Sequence, residues 1–393
     1  MRGVPPLRED PGGRLEETNS DGYQTVSLGS PPVVWPPVQW MVRRRLGRPC
    51  DLTHNGLLIK YVMSIPGGIF MKALALFSGG LDSILAVKLM QEQGIDVSGI
   101  FFESPFFSSQ KPARSAQCIG LSLRIVDITE SLIKIVLSPR HGHGRGLNPC
   151  VDCHALMFKT AGGMLKREEA GFIISGEVVG QRPMSQNLRS LSIIARESGF
   201  EDLILRPLSA KRLPETLPEK EGWVVRERLL GLSGRSRQPQ MKLAREFGIQ
   251  EYPAPAGGCL LTEEVFSRRL KELISVTPAF SRRDIELLKW GRHFRICEKA
   301  KIVVGRNERE NELIASLARE RDTLLRVESV PGPTVLATGE LSPEEIKLTA
   351  SIAASYSDAA IHQSVAVRVT RNSEHSILFA TGKEKEDFRR FMI

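Results

Sequence analysis

A hexapeptide, Ser-Gly-Gly-Leu-Asp-Ser at residues 78–83, joins an apolar stretch to a helical pattern. The apolar stretch, residues 73–77, has the length and composition of a buried parallel strand. After the hexapeptide, apolar residues recur at helical spacing. Paired glycines let a backbone turn sharply and direct N–H groups at an anion, where a helix N-terminus adds partial positive charge. The hexapeptide therefore predicts an anion-binding loop between a strand and a helix.

The side chains of this loop suit a nucleotide phosphate. Its hydroxyls can donate hydrogen bonds, and Asp82 can hold a magnesium ion or orient a phosphate-bound water. The lysine of a Walker A loop is missing from the segment. The loop instead resembles the SGGxDS loop of ATP pyrophosphatases, which split ATP between the α and β phosphates and adenylylate a substrate oxygen. The resemblance implies that ATP and Mg²⁺ are bound by Ser78, Gly79, Gly80, Asp82 and Ser83.

From Met71 onward the sequence alternates strand and helix patterns, which is typical of a doubly wound parallel sheet. Ligands of such sheets bind beyond the carboxyl ends of the strands. We predict an α/β domain of the PP-loop (HUP-like) type over residues 71–275, followed by a smaller α+β domain over residues 280–393. Further strands are predicted at residues 97–102, 121–128, 172–175 and 203–208, and helices near residues 130–137, 151–169 and 241–247.

The first 70 residues have a different composition. They contain 9 of the chain's 24 prolines and show no sustained periodicity. Met71 stands immediately before the first predicted strand. We therefore expect residues 1–70 to be a disordered extension or the product of a mis-called start.

Overall composition indicates a soluble globular protein. Of 393 residues, 41% are hydrophobic and 25% are charged, and no apolar run approaches the ~20 residues of a membrane span. A formal charge of +9 favours a polyanionic partner such as RNA. Six cysteines in a chain of this size predict a reducing cytoplasm rather than a disulfide scaffold. We expect a cytoplasmic protein that does not associate with membranes.

A Cys-x-x-Cys pair, Cys150 and Cys153, stands at the start of a predicted helix, where thiol pKa values are lowered. A structural zinc site would need a second pair, which the chain lacks. Cys259 follows two glycines and is a third candidate. Three thiolates can bind three irons of a [4Fe–4S] cluster and leave the fourth iron open for sulfide. Alternatively, one thiol of the pair and Cys259 alternate between persulfide and disulfide forms.

The pair and the loop together resemble the tRNA thiouridine synthases, especially the 4-thiouridine type. Residues 175–187 are similar to that family's G-x-x-x-G-Q-x-x-S-Q-T segment, with Asn187 in place of Thr, and residues 206–208 resemble its Arg-Pro-Leu strand end. The resemblance implies nucleotide and uracil binding by Gly176, Gln181, Ser185 and Gln186. Typical members carry an N-terminal RNA-binding module and many add a rhodanese domain, for which this chain has no room.

The C-terminal region resembles the RNA-binding domain of the NFACT proteins in residues 290–295 and 301–311. Between Arg282 and Arg326 there are 12 Lys and Arg residues against 8 Asp and Glu residues. Arginines beside an aromatic ring can grip phosphate and stack on bases. The resemblance implies an RNA-binding surface that includes Arg292, Arg295, Lys301 and Arg306.

The combined motifs predict an ATP-dependent tRNA sulfurtransferase. A uridine carbonyl would be adenylated and sulfur then inserted, with Asp82, Cys150, Cys153 and Cys259 as catalytic residues. The expected partners are tRNA and either sulfide or a persulfide donor such as a cysteine desulfurase, and homodimer formation is also considered. Two alternatives stay open: a ligase or amidotransferase of the same loop class that acts on another carbonyl, and a non-enzymatic RNA- or ribosome-binding protein.

Overall fold

The computed structural model describes residues 71–253, 259–277 and 279–393. These residues form two compact units. The first unit comprises residues 71–104, 108–135 and 150–253, and the second comprises residues 105–107, 136–149, 259–277 and 279–393. The predicted N-terminal extension lies outside the described residues. Across these ranges, every helix is too short or too polar to cross a membrane.

The first unit is built on a parallel sheet, which confirms the α/β prediction. Its strands follow the order β3-β2-β1-β4-β5, and every neighbouring pair is parallel. Strand β1 is central, and Ala73, Leu74 and Ala75 on it are almost completely buried. The strands are β1 (Lys72–Leu76), β2 (Asp96–Glu103), β3 (Leu123–Asp127), β4 (Phe172–Ser175) and β5 (Ile204–Leu205).

Helices connect these strands. The first helix is apolar on nearly every side, and its residues Leu81, Leu85 and Met90 are almost completely buried. The helices within residues 71–253 are α1 (Leu81–Gln91), α2 (Gln110–Cys118), α3 (Thr129–Leu137), α4 (Cys150–Met164), α5 (Leu188–Ser198), α6 (Leu217–Lys220) and α7 (Gln238–Glu246).

The strand order reverses direction at the neighbouring strands β1 and β4. From β1 the chain moves outward to β2 and β3, and it then returns to place β4 on the other side of β1. In open α/β sheets such a reversal leaves a crevice beyond the carboxyl ends of the two strands, where ligands bind. Residues 78–83 follow β1, and residues 176–187 follow β4. The two predicted binding segments therefore meet at this crevice.

The second unit contains a six-stranded sheet in the order β11-β10-β8-β9-β7-β6, with every neighbouring pair antiparallel. Its strands are β6 (Arg292–Cys297), β7 (Ala300–Val304), β8 (Thr323–Val327), β9 (Thr334–Thr338), β10 (Ser364–Arg371) and β11 (Glu374–Thr381). Its helices after residue 259 are α8 (Glu264–Val276), α9 (Arg282–Leu287), α10 (Glu308–Ser316) and α11 (Pro343–Ser355). The α+β prediction for this region is confirmed.

Two apolar clusters cover the two faces of this sheet. On one face α11 packs through Ala350 and Ala353 against strand residues that include Val335 and Val367. On the other face α10 contributes Ile314 to a smaller cluster that reaches only β7, β8 and β9. Alternation along each strand sends successive side chains to opposite faces. The second face is therefore covered by α10 over part of the sheet.

Helix α8 groups with the second unit, whereas the predicted first domain extended to residue 275. The side chain of Arg269 donates hydrogen bonds to the carbonyl oxygens of Leu288 and Gly291, at 2.7 and 2.9 Å. Glu272 forms ion pairs with Arg295 and Lys301. These polar contacts hold α8 against the segment that enters β6. The periodicity of a helix does not reveal which neighbouring unit it joins.

Candidate active site and nucleic-acid interface

The glycine loop makes the sharp turn that its sequence predicts. Gly79 has a φ of 71°, and a Cβ at this position would lie 2.7 Å from the Cα of Pro112. Gly80 is the extended N-cap of α1. The hydroxyl of Ser83 donates a 2.8 Å hydrogen bond to the Gly80 carbonyl oxygen, and the Ser78 hydroxyl lies 3.4 Å from that of Ser83. The first N–H groups of a helix have no partner within it, so this end of α1 is suited to an anion.

Asp82 is held at the base of the loop by two glutamines. The Gln181 side-chain amide donates a 2.8 Å hydrogen bond to Oδ2 of Asp82. Gln240 in turn donates to the amide oxygen of Gln181, at 3.2 Å. Burial raises the pKa of Asp82 above its usual value. The hydrogen bond from Gln181 and the nearby charge of Arg237 oppose that rise.

The second carboxylate oxygen of Asp82, Oδ1, is buried and has no hydrogen-bond partner among the described residues. Buried polar groups are almost always paired, so this atom is matched to a group that arrives with the ligand. A hard divalent cation prefers such a carboxylate oxygen. The arrangement therefore fits a magnesium ion brought in with a nucleotide phosphate.

The segment after β4 touches the loop through Gly176. A Cβ on Gly176 would lie 2.5 Å from the backbone of both Asp82 and Ser83, so only glycine fits here. The loop and the segment are therefore packed backbone against backbone. A side chain at residue 176 would push the phosphate-binding turn out of place.

Two further predicted binding residues, Ser185 and Gln186, are buried within the same segment. Gly180 has a φ of 78°, and its N–H donates a 2.6 Å hydrogen bond to the Gln186 carbonyl oxygen. The side-chain oxygen of Gln186 is buried without a hydrogen-bond partner in the described part of the chain. Gly176 and Gln181 thus contact the loop, whereas the backbone of Gln186 closes the turn that presents Gln181.

A buried carboxylate, Glu177, connects this segment to two other elements. Its Oε2 accepts a 2.8 Å hydrogen bond from Arg206, and its Oε1 lies 2.8 Å from Nδ1 of His154. Burial raises the pKa of this carboxyl, but Arg206 and His154 outweigh burial and hold the pKa at about 2. Glu177 is therefore a carboxylate across the physiological pH range. His154 lies on α4, so the network ties that helix to the end of β4.

The cysteine pair lies at the start of the same helix. Cys150 is the first residue of α4, and Cys153 follows one turn later. Both side chains are partly buried. Residues three positions apart on a helix are neighbours on its surface. The two thiols therefore stand on the helix turn that His154 anchors to Glu177.

Cys259 belongs to the second compact unit, whereas Cys150 and Cys153 belong to the first. Gly257 and Gly258, which precede Cys259, lie outside the described residues. Cys259 is partly buried and immediately precedes a short 3₁₀ turn at Leu260–Thr262. The joint use of all three thiols remains a prediction.

The four predicted RNA-binding residues occupy different environments in the second unit. The guanidinium of Arg292 lies 4.9 Å from the centre of the Tyr356 ring. Arg295 pairs with Glu272, and the ammonium of Lys301, which is 8% exposed, lies 2.8 Å from the same carboxylate. Arg306 pairs with Glu310 but is half exposed. The cation of Lys301 is therefore compensated inside the fold.

Comparison with known proteins gives a separate match for each part of the chain. Residues 68–212 match the family described as thiamine biosynthesis protein (ThiI). Residues 291–392 match the family described as NFACT protein RNA binding domain. The chain joins a ThiI-type domain to an NFACT-type domain.

Individual relatives are matched over only part of their own length. A probable tRNA sulfurtransferase from Moorella thermoacetica is 25% identical, over 52% of this chain and 57% of its own length. The tRNA-specific 2-thiouridylase MnmA of Nitratidesulfovibrio vulgaris strain DP4 is 38% identical, over 20% of this chain and 25% of its own length. The solved structure of a 4-thiouridine synthetase–RNA complex with bound ATP is 20% identical, covers 47% of this chain and 53% of that chain, and has a TM-score of 0.27. The chain thus spans less than two thirds of each of these proteins.

The ThiI-type segment departs from its family pattern at Asn187, and the structure gives this residue a local role. Asn187 is the N-cap of α5, and its side-chain oxygen accepts a 2.9 Å hydrogen bond from the backbone N–H of Ser190. Its amide group donates to the Pro183 carbonyl oxygen at 2.7 Å. Asparagine is among the best N-cap residues, so the replacement preserves the helix start.

Two contributors to the ThiI-type site were missed by sequence reasoning. Gln240 is almost completely buried and orients Gln181, yet it lies about 60 residues beyond it in the chain. Arg237, whose charge lowers the pKa of Asp82, was likewise not identified as a site residue. Both residues reach the site because α7 packs near α1. The sequence of a single polar helix carries no signal for such a long-range contact.

Proposed function

We propose that this protein uses ATP to replace a carbonyl oxygen of a tRNA uridine with sulfur. The proposal depends on one observation: residues 176 and 177, which are adjacent in the chain, contact the glycine loop and the cysteine-bearing helix α4, respectively. Gly176 packs on the backbone of Asp82, and Glu177 holds His154 of α4 at 2.8 Å. An adenylating loop and a pair of thiols attached to the same short segment suit a reaction in which activation precedes sulfur transfer.

The first half of the proposed reaction is adenylation. The amide-type oxygen of uracil is a poor leaving group, whereas AMP is a good one, so activation has to come first. In this proposal the uridine oxygen attacks the α-phosphate of ATP, and pyrophosphate leaves. The first turn of α1 would receive the phosphates on its N–H groups, while Arg182 and Arg237 lie close enough to Asp82 to lower its pKa and would offset phosphate charge. A magnesium ion held by Asp82 would neutralise charge on the departing pyrophosphate.

The second half replaces AMP by sulfur. In the persulfide route, the terminal sulfur of a cysteine persulfide attacks the activated carbon and AMP leaves with the oxygen. A second cysteine thiolate, from the pair or from Cys259, then attacks the protein-bound sulfur. A disulfide forms, the thiolated base is released, and an external dithiol reduces the disulfide for the next cycle. In the other route, Cys150, Cys153 and Cys259 would hold an iron–sulfur cluster, which would supply the sulfur as sulfide. Both routes need Cys150 or Cys153.

Transfer RNA is proposed as the substrate because of the charge and the second domain. The chain has a formal charge of +9 and an NFACT-type domain. The named relatives include a probable tRNA sulfurtransferase and a tRNA 2-thiouridylase, which favour the same class of substrate. A polyanionic substrate gains affinity from a basic protein through release of its counterions.

The decisive experiment separates the two halves of the reaction. Purified protein is incubated with unmodified tRNA, labelled ATP and sulfide or a persulfide donor, and AMP and thiolated nucleosides are both quantified. Asp82→Ala is expected to abolish AMP formation. Cys150→Ser and Cys153→Ser are expected to keep AMP formation and to stop thiolation. Cys118→Ser, an exposed cysteine of α2, is the matched control and is expected to retain both activities.

The outcomes also decide between the alternatives. Normal thiolation by both Cys150→Ser and Cys153→Ser would remove the sulfur half of the proposal. AMP formation that needs ammonia rather than a sulfur source would point to an amidotransferase. Failure of the wild-type protein to form AMP with any tRNA would favour a non-enzymatic RNA-binding protein. Nucleoside analysis of tRNA from a deletion strain would identify the modified base.

A further inference from the structure

Among the described residues, one face of the NFACT-type sheet is left uncovered at its β10–β11 end. Helix α10 covers this face only over β7, β8 and β9. On the edge strand β11, Ile377 is 58% exposed and Phe379 is 76% exposed. An exposed phenylalanine of this degree is costly to hydrate, since full burial of such a ring contributes about 1.5–3 kcal/mol. Phe379 and Ile377 together give this edge of the sheet an exposed apolar surface.

Strand register places arginines beside these apolar side chains. Ile377 lies opposite Arg368 on β10, and Arg368 lies opposite Arg326 on β8. Both arginines are exposed. Arg368 pairs with the carboxylate of Glu328 at 2.5 Å, and Glu328 is itself accessible. The open face therefore presents an aromatic ring, an aliphatic side chain and two cations in one connected patch.

A cavity of about 300 Å³ adjoins this patch at the β10–β11 turn. Ala318 and Leu324 give it an apolar lining, and Arg319, Arg371 and His375 line it with polar groups. Glu320 and Asp322 also line it, but Asp322 is almost fully buried and paired with Arg283. Arg319 and Arg371 outnumber the one accessible carboxylate. The cavity therefore favours an anionic ligand with a flat, partly apolar portion.

We propose that this open face binds single-stranded RNA. A base stacks on Phe379, the phosphates contact Arg326 and Arg368, and an unpaired base enters the adjoining cavity. Stacking on aromatic rings and phosphate contacts with arginine are the two contributions that single-stranded nucleic acids use on sheet surfaces. The arginines make the patch complementary to a polyanion rather than to a second apolar surface. The inference rests on the proposed function only in taking tRNA loops and ends as the source of the single strand.

The test measures RNA affinity of the full-length protein without ATP or a sulfur source. The probes are a fluorescent 12-nucleotide oligouridylate and an unmodified tRNA transcript, titrated at several salt concentrations. Phe379→Ala is expected to raise the Kd for both probes about tenfold, because one stacked base is lost. Arg368→Gln is expected to raise the Kd and to reduce the slope of log Kd against log salt by about 0.7.

Two matched variants serve as controls. Met392→Ala removes an exposed apolar side chain beside β6, the opposite edge of the sheet, and Arg389→Gln removes an exposed cation next to it. Both are expected to keep the wild-type Kd within twofold. Thermal melting of all four variants shows whether the fold is intact.

A rise of less than threefold in Kd for both Phe379→Ala and Arg368→Gln, with an intact fold, overturns the proposal. The same holds if sedimentation shows that Phe379→Ala only dissociates a dimer while RNA affinity is unchanged, because the face would then bind a second copy of the chain. If the wild-type protein does not thiolate tRNA, the proposed function is refuted. The measurement of RNA affinity does not depend on that result. The two failures are therefore distinguishable.

Discussion

Nδ1 of His154 lies 2.8 Å from Oε1 of Glu177, which joins the helix that carries the cysteine pair to the end of strand β4. The other carboxylate oxygen of Glu177 accepts a hydrogen bond from Arg206, whose side chain is 6% exposed. A buried ion pair of this kind is sensitive to loss of one partner, because the remaining charge stays buried without compensation.

Glu177→Gln is therefore expected to destabilise the first unit by about 3–5 kcal/mol, measured by urea unfolding at pH 7. Glu386→Gln, which removes an exposed carboxylate paired with Arg389, is the matched control and should leave stability unchanged. The acid dependence provides a second measurement. The folded-state pKa of Glu177 is about 2, below its usual 4.5, so its contribution is complete above about pH 4.5 and is lost as the pH falls towards 2. Unaltered acid sensitivity in Glu177→Gln would contradict this account.

Gly176→Ala tests the contact between the two backbone segments at the site. The added Cβ would meet the backbone of Asp82 and Ser83 at 2.5 Å, so the loop has to move. We expect ATP affinity, measured by calorimetry, to fall at least about tenfold, since a displaced donor set loses more than about 1.4 kcal/mol of binding free energy. Gly163→Ala, on α4, meets no atom within 4 Å and should bind ATP normally. Equal affinities in the two variants would show that the close packing is irrelevant to binding.

The Asp82→Asn variant tests whether the buried charge of Asp82 lowers stability while it is required for AMP formation. Burial raises the pKa of Asp82, so the charged form is less favourable in the folded protein than in the unfolded chain. The carboxylate therefore lowers stability at pH 7, and this penalty diminishes as the pH falls through the raised pKa. Asparagine keeps an acceptor for Gln181 without the charge. We expect the variant to melt at a higher temperature than the wild type and to form no AMP. A lower melting temperature would contradict the assigned sign.

Lys301→Met tests whether a basic residue of the NFACT-type sequence contacts RNA. Its ammonium is buried beside Glu272, and burial lowers its pKa while the Glu272 contact opposes that change. We expect the variant to lose about 1–3 kcal/mol of stability, because a charged hydrogen bond is removed. RNA affinity should stay within twofold of wild type in a fluorescence titration. A Kd change as large as that of Arg368→Gln would make Lys301 an RNA contact after all.

Local sequence patterns were sufficient to predict the central part of the parallel sheet. The apolar run at residues 172–175 predicted β4 with its observed bounds, and the hexapeptide predicted the turn before α1. Both signals depend on residues that are adjacent in the chain. Helix α5 was not predicted, although Asn187 caps it and Gly199 ends it with a φ of 78°. Leu191, Ile194 and Ala195 stand at helical spacing, so the signal for this helix was present in the sequence and was overlooked.

The residues that contact the site residues could not be predicted from the sequence. Gln181 was predicted to bind ligand, but its contact with Asp82 and the position of Gln240 behind it were not predicted. Such a chain of amides depends on how α7 packs, which is decided by tertiary contacts rather than by local spacing. The burial of Lys301 could not be predicted for the same reason. A basic residue is expected to be accessible, and its ion pair with Glu272 on a separate helix forms only in the folded protein.

The second unit draws on three separated stretches of chain, and this has a consequence during synthesis. The N–H of Leu147 donates to the Leu261 carbonyl oxygen at 3.1 Å, and the N–H of Leu260 donates to that of Phe106 at 3.2 Å. The paired residues are 114 and 154 positions apart, from 261 − 147 and 260 − 106. At about 5–20 residues per second, the ribosome takes roughly 6–23 s to release the partner of Leu147. Strands β1 to β4 have left the ribosome well before Leu261. The parallel sheet can therefore assemble while residues 136–149 still lack the hydrogen-bond partner that Leu261 supplies.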